Sequence, residues 1–140
     1  MKNHNLNRFV KAQRNTYDIA LAEIRNGYKE SCWMWFIFPQ IEGLGYSDMS
    51  KKYAIKDRAE AEAYLKHPVL GRRLKEISEA LLTLETDDPE WVMGWPDDSK
   101  LQASMTLFYQ VSKEPTFKRV LDKYFDGMFD EHTMKKLKEA

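Results

Sequence analysis

Seven side chains carry groups that could recognise a small molecule. Tryptophans and an amide fall within SCWMWFIFPQIEGLGYS (31–47), and a carboxylate, an ammonium and a hydroxyl within DDSKLQASMTLF (97–108). Ligand pockets usually combine an aromatic wall with a few polar groups of these kinds. The candidate ligand-binding residues are Trp33, Trp35, Gln40, His67, Asp98, Lys100 and Ser104.

Several of these residues also have a structural interpretation. The aromatic run 33–38 is typical of a buried core helix, with one of its two tryptophans bordering a cleft. His67 precedes Pro68 and suits a helix cap or a loop, whereas Lys100 suits a solvated surface position. Ser104 lies four residues after Lys100, so the two can share a helix face near an anion-binding N-terminus.

The remaining reactive residues predict no metal and no cofactor. Cys32 is the only cysteine, which excludes an internal disulfide and a cysteine-rich metal site. The three histidines, at positions 4, 67 and 132, are too dispersed for a zinc-binding pattern. In the aspartate pairs at 87–88 and 97–98, Asp88 and Asp97 are placed to cap helices, whereas Asp98 has no such assignment and could be a functional carboxylate. The sequence assigns no catalytic residue and leaves open whether the protein is an enzyme.

Composition predicts one soluble domain over residues 1–140. With 43% hydrophobic residues, the 140-residue chain can bury a sizeable core. Lys plus Arg equals Asp plus Glu at 22 each, so the surface does not favour nucleic acid or anionic membrane. The longest apolar run, 32–39, is far shorter than the ~20 residues of a membrane span. The polar N-terminus resembles no secretory signal, which indicates a cytoplasmic location.

Helical periodicity predicts an all-α bundle of six to eight helices, several of them short. Apolar residues repeat at three- and four-residue spacing over 6–24, which predicts one helix capped by Asn5 or Asn7. The aromatic run should form a central segment that ends before Pro39. Helix caps are expected at Ser47, Asp57, Asp88 and Asp97, and a left-handed residue at Gly27.

The blocks FVKAQ (9–13), WMWFIFPQIEGLGYS (33–47), YLKHPVLGRRL (64–74) and DDSKLQASMTLF (97–108) resemble the bacterial family named domain of unknown function 1810. The resemblance implies a compact all-helical fold and no particular activity, because the family has no established catalytic residues. A histidine usually precedes its Trp-Met-Trp block, where this chain has Cys32. Members often carry the label calpastatin, which does not fit, because such inhibitors are disordered and poor in aromatic residues.

Two functional hypotheses follow from the sequence. The first is a pocket for a small anionic, nucleotide-like ligand where the aromatic run meets segment 97–106. The alternative is a protein–protein interaction module or a self-associating domain that uses exposed aromatic surface without catalysis. A fold with no discrete ligand is the third interpretation. The expected oligomeric state is a monomer or a weak homodimer.

Overall fold

Ten α-helices make up the computed structural model, which describes residues 4–139. They are α1 (Asn7–Gln13), α2 (Tyr17–Arg25), α3 (Met34–Ile37), α4 (Asp48–Lys52), α5 (Arg58–Lys66), α6 (Leu70–Leu82), α7 (Pro89–Met93), α8 (Asp97–Ser112), α9 (Pro115–Phe125) and α10 (Glu131–Glu139). Within 4–139 the β pairing is limited to one isolated bridge between Ile41 and Ile55. The all-α class is confirmed, and the predicted count of six to eight helices was too low.

One source of the extra helices is the N-terminal stripe, which is interrupted. The chain turns after Gln13, at Asn15 and Thr16, two residues of low helix propensity. Gln13 is buried and its Nε2 donates to the Phe36 carbonyl at 2.7 Å. The predicted asparagine cap is wrong, because Leu6 precedes α1 and supplies no side-chain cap.

Most of the other predicted helix ends are confirmed. The side-chain oxygens of Ser47, Asp57 and Asp88 each accept a hydrogen bond from a backbone N–H in the first turn that follows. Gly27, just beyond α2, has a φ of +107°, a backbone conformation that glycine adopts without a Cβ penalty. The aromatic segment ends at Ile37, before Pro39. Interactions between residues close together in the chain were therefore sufficient to predict these helix ends.

The predicted cap at Asp97 is wrong. Pro96 occupies the cap position, and Asp97 is the first residue of α8 itself. The Asp97 carboxylate instead forms ion pairs with two ammonium groups, that of Lys29 at 2.9 Å and that of Lys100 at 3.5 Å. Its role is to tie the start of α8 to the loop that follows α2.

Helix α8 lies at the centre of the fold, where it packs against α5, α7, α9 and α10. The middle of this helix is buried on several sides, as expected for a helix with neighbours all round. The buried residues are Leu101, Ala103, Ser104, Met105, Thr106, Leu107 and Phe108. The aromatic run joins the same continuous core. Within residues 4–139 no helix combines the length and apolar character that a bilayer crossing requires.

Candidate functional site

The strongest candidate site is a cleft between the start of α8, the exposed face of α10 and the loop that precedes α4. We call it the α8–α10 cleft. Its volume is about 570 Å³, within the range of ligand pockets. The lining residues are Gln40, Gly43, Leu44, Gly45, Tyr46, Pro96, Ser99, Lys100, Ala103, Asp130, His132, Lys135, Lys136 and Glu139.

Trp35 connects this cleft to the aromatic core. It is half-buried and lines a smaller adjoining depression that shares Gln40, Gly43 and Gly45 with the cleft. The Lys100 ammonium lies 5.3 Å from the centroid of the Trp35 ring, a cation–π distance. This contact holds the lysine over the ring while part of its side chain remains exposed.

Helix α10 forms the second wall because of its residue spacing. His132, Lys135, Lys136 and Glu139 follow the i, i+3, i+4, i+7 pattern of one helix face, and all four line the cleft. The opposite face carries Thr133 and is buried. Helix α10 is fixed to α8 because the Asp130 N–H donates to the Thr106 hydroxyl at 2.9 Å.

The loop that precedes α4 forms the third wall of the cleft, and it requires glycine at position 43. Gly43 has a φ of +98°, and a Cβ there would lie 2.9 Å from Cε of Lys136. The lysine stem therefore packs directly on the loop backbone. Nearby, the Tyr46 ring lines the mouth of the cleft and is 85% exposed. The loop thus contributes a largely exposed aromatic ring to the mouth of the cleft.

Lysine side chains exceed carboxylates along the cleft, three to two. Of the carboxylates, Asp130 already accepts hydrogen bonds from the backbone and hydroxyl of Thr133, as the cap of α10. Glu139 lies 3.8 Å from the Lys136 ammonium, and both side chains are well exposed, so the pair is weak. The lysines therefore give this cleft a modest attraction for an anionic group.

Three of the seven predicted residues come together here: Trp35, Gln40 and Lys100. Trp33 and Ser104 do not, because both side chains are fully buried. The Trp33 indole N–H donates to Glu23 at 2.8 Å, so this tryptophan is a core residue. Within the described chain the Ser104 hydroxyl has no hydrogen-bond partner and no access to solvent.

The last two predicted residues have local structural roles. His67 follows α5, and its Nδ1 accepts from the N–H groups of Val69 and Leu70 at 3.1 and 3.3 Å. The histidine therefore stabilises the turn into α6. Asp98 accepts from the Ser99 N–H at 2.9 Å and does not line the cleft in the described structure.

The predicted anion site at the α8 N-terminus is not formed as expected. The N–H of Asp98 donates to the Gly94 carbonyl, and the N–H groups of Ser99 and Lys100 donate to that of Pro96. These groups are therefore not available to an incoming anion. Attraction for an anion in this region rests on the lysine side chains instead.

The family model described as "Protein of unknown function (DUF1810)" matches residues 3–137. The chain belongs to the DUF1810 family. The crystal structure of the conserved hypothetical protein Rv1873 from Mycobacterium tuberculosis is similar, with 40% sequence identity and a TM-score of 0.95. That match covers 96% of this chain and 97% of the other. None of the curated proteins matches the chain.

Sequence reasoning missed the α10 wall of this DUF1810 protein. The residues of α10 are mostly polar, and His132, Lys135, Lys136 and Glu139 already share one face by their spacing. That signal was present in the sequence. Only the packing of α10 against α8 shows that this face of α10 lines the same cleft as Lys100.

We predict that the folded DUF1810 protein does not depend on a metal ion. Among residues 4–139, no group of three or more His, Cys, Asp or Glu side chains is arranged to hold one. Dialysis against EDTA should leave the melting temperature and the far-ultraviolet circular dichroism spectrum unchanged. Stoichiometric metal in the purified protein, together with a lower melting temperature after dialysis, would contradict this expectation.

Proposed function

We propose that the α8–α10 cleft binds a small anionic ligand with a planar, nucleotide-like group. The observation that carries this proposal is the position of the Lys100 ammonium, 5.3 Å from the Trp35 ring and at the edge of a lysine-lined cleft. A cation held on an aromatic face in a concave site is a frequent feature of small-molecule recognition.

The charges around Lys100 support an anionic ligand. Asp97 is shared between Lys100 and Lys29, so one carboxylate offsets two ammonium groups. Lys135 and Lys136 contribute further positive charge from α10. A phosphate or carboxylate placed between these helices would reduce the repulsion among the lysines.

The aromatic and amide groups of the cleft support a ligand that has a planar portion. Trp35 already has Lys100 over its ring and forms part of the wall. Tyr46 has a largely exposed ring at the cleft mouth, so it is the ring on which a planar group can stack. The Gln40 side chain lines both parts of the cleft and offers an amide donor and acceptor.

We predict that Lys100→Ala abolishes ligand-induced stabilisation while leaving the ligand-free melting temperature nearly unchanged. The side chain is only partly buried, so its loss should cost little folding free energy. A ligand present at ~100 times its Kd adds about 2.7 kcal/mol of stability, which a thermal-shift assay detects readily. Suitable probes are AMP, adenosine and inorganic phosphate, tested separately.

Lys118→Ala is the matched control, because Lys118 also pairs with an aspartate on its own helix but lies on α9, away from the cleft. AMP should raise the melting temperature of the wild-type protein and of this control, and more than adenosine or phosphate does. The proposal fails if none of the three probes stabilises the wild type, or if Lys100→Ala keeps the full AMP effect.

A further inference from the structure

Two tryptophans outside the cleft are unusually exposed. Trp91 is 68% and Trp95 is 77% exposed, although their neighbours Val92 and Met93 are buried at 1% and 3%. The buried pair fixes how α7 sits on the core, which turns Trp91 outward. We call the exposed indoles the Trp91–Trp95 surface. Tryptophan is the residue type most enriched at sites that dominate binding energy in protein interfaces.

The segment that carries this surface is held firmly in place. Asp88 caps α7 by accepting from the N–H groups of Glu90 and Trp91, at 3.0 and 3.3 Å. On the other side, the Lys29 N–H donates to the Val92 carbonyl at 2.7 Å. The Lys29 ammonium also binds Asp97 at 2.9 Å. A partner would therefore meet a backbone that is already ordered, which lowers the entropic cost of binding.

The segment that carries the indoles is acidic, and within it Asp97 is paired with Lys29 and Lys100. Residues 85–98 contain six carboxylates and no lysine or arginine, in a chain whose total charge is zero. Glu85, Asp87 and Glu90 are exposed, and within residues 4–139 none of the three forms an ion pair. Charge complementarity therefore favours a cationic partner.

The size of the surface favours a short segment. Two indoles exposed to this extent offer on the order of 300 Å², taking roughly 200 Å² as the area of one side chain. A stable interface between two folded proteins needs about 800 Å² from each partner. The Trp91–Trp95 surface is too small for a dimer interface and sufficient for several residues of a peptide.

We propose that the Trp91–Trp95 surface docks a short protein segment rich in arginine and lysine. Guanidinium groups stack on indole faces through cation–π contacts, and the surrounding carboxylates attract the same groups. This interaction does not depend on the α8–α10 cleft, whose lysines would repel such a segment. Exposed aromatic surface suggests a protein-binding role. The proposal specifies where on the protein this binding occurs and what kind of partner is bound.

Fluorescence anisotropy with a fluorescein-labelled peptide tests the proposal. The peptide alternates arginine with glycine over ten residues, and a second peptide has glutamine in place of arginine. The wild-type protein should bind the arginine peptide at least tenfold more tightly than the glutamine peptide. Raising the salt concentration should weaken binding, because exposed charges are screened.

Two variants locate the site, each checked for folding by circular dichroism. The double variant Trp91→Ser with Trp95→Ser should lose at least tenfold in affinity, and so should the triple variant Glu85→Gln, Asp87→Asn and Glu90→Gln. The control Tyr46→Ser removes an aromatic ring of similar exposure from the cleft mouth and should bind as the wild type does. If one site variant fails to fold, the other decides the result.

Four outcomes would overturn the proposal. The first is equal binding of the two peptides, and the second is no binding of either. The third is wild-type self-association in sedimentation experiments that the double tryptophan variant lacks, since the surface would then be occupied by a second copy of the chain. Unchanged affinity for the arginine peptide in both folded site variants would likewise overturn the proposal, because the peptide would then bind elsewhere.

Discussion

Replacing Phe38 with alanine is expected to lower the free energy of unfolding by about 3–5 kcal/mol, the usual cost of truncating a buried aromatic residue. The Phe38 ring is fully buried, with its centroid 6.2 Å from that of Trp33. The space left behind cannot collapse freely, because it is enclosed by the central core. Whole domains are stable by only about 5–15 kcal/mol, so this one change removes a large share of the total.

Urea denaturation followed by tryptophan fluorescence gives the required free energies. Tyr46→Ala is the control, because its ring is 85% exposed and its loss should change the free energy of unfolding by less than about 0.5 kcal/mol. If Phe38→Ala and Tyr46→Ala lowered the free energy of unfolding by similar amounts, the assignment of the aromatic run to the core would be wrong.

Features with a local cause could be predicted from the sequence. Ser47, Asp57 and Asp88 cap their helices because a short polar side chain there reaches the next free N–H groups. The crowding of aromatic residues at 33–38 required burial on several sides, and the structure buries nearly all of them. These arguments need only neighbours within a few residues along the chain.

Features that depend on long-range packing could not be predicted. The same run contains two tryptophans, and spacing alone does not say which one faces the cleft. Trp33 is buried and its indole N–H donates to Glu23, ten residues earlier, whereas Trp35 borders solvent beneath Lys100. Likewise, the spacing of residues on α10 defines a face, but only the packed structure shows that Lys136 lies against Gly43.

Glu23 is the clearest case of a residue whose role appears only in the fold. It lies on α2, yet the residue is buried. Four groups donate to it: the backbone N–H groups of Glu30 and Ser31, the Ser31 hydroxyl and the Trp33 indole N–H. Through these bonds one side chain holds the loop after α2 and orients a core tryptophan.

These hydrogen bonds make stability depend on the charge of Glu23. Burial by itself would raise the pKa of this carboxyl, but the bonds from Ser31, Glu30 and Trp33 outweigh it and hold the pKa below the usual value of 4.5. Since the folded pKa is the lower one, the stabilising contribution is present above pH 4.5. It is lost as the pH falls from there through the folded pKa.

We therefore expect Glu23→Gln to lower the free energy of unfolding by about 3 kcal/mol at pH 7, because hydrogen bonds to a charged group are worth roughly 1.5–3 kcal/mol each. The amide keeps the shape of the side chain but presents N–H donors to groups that are themselves donors. Urea denaturation between pH 7 and pH 3 measures both proteins. The free energy of unfolding of the wild type should fall on acidification, and its difference from that of Glu23→Gln should shrink.

The control is Glu79→Gln, at an exposed position on α6, which should change the free energy of unfolding at pH 7 by less than about 0.5 kcal/mol. A constant difference between wild type and Glu23→Gln across this range would show that the carboxylate charge is not what holds the loop.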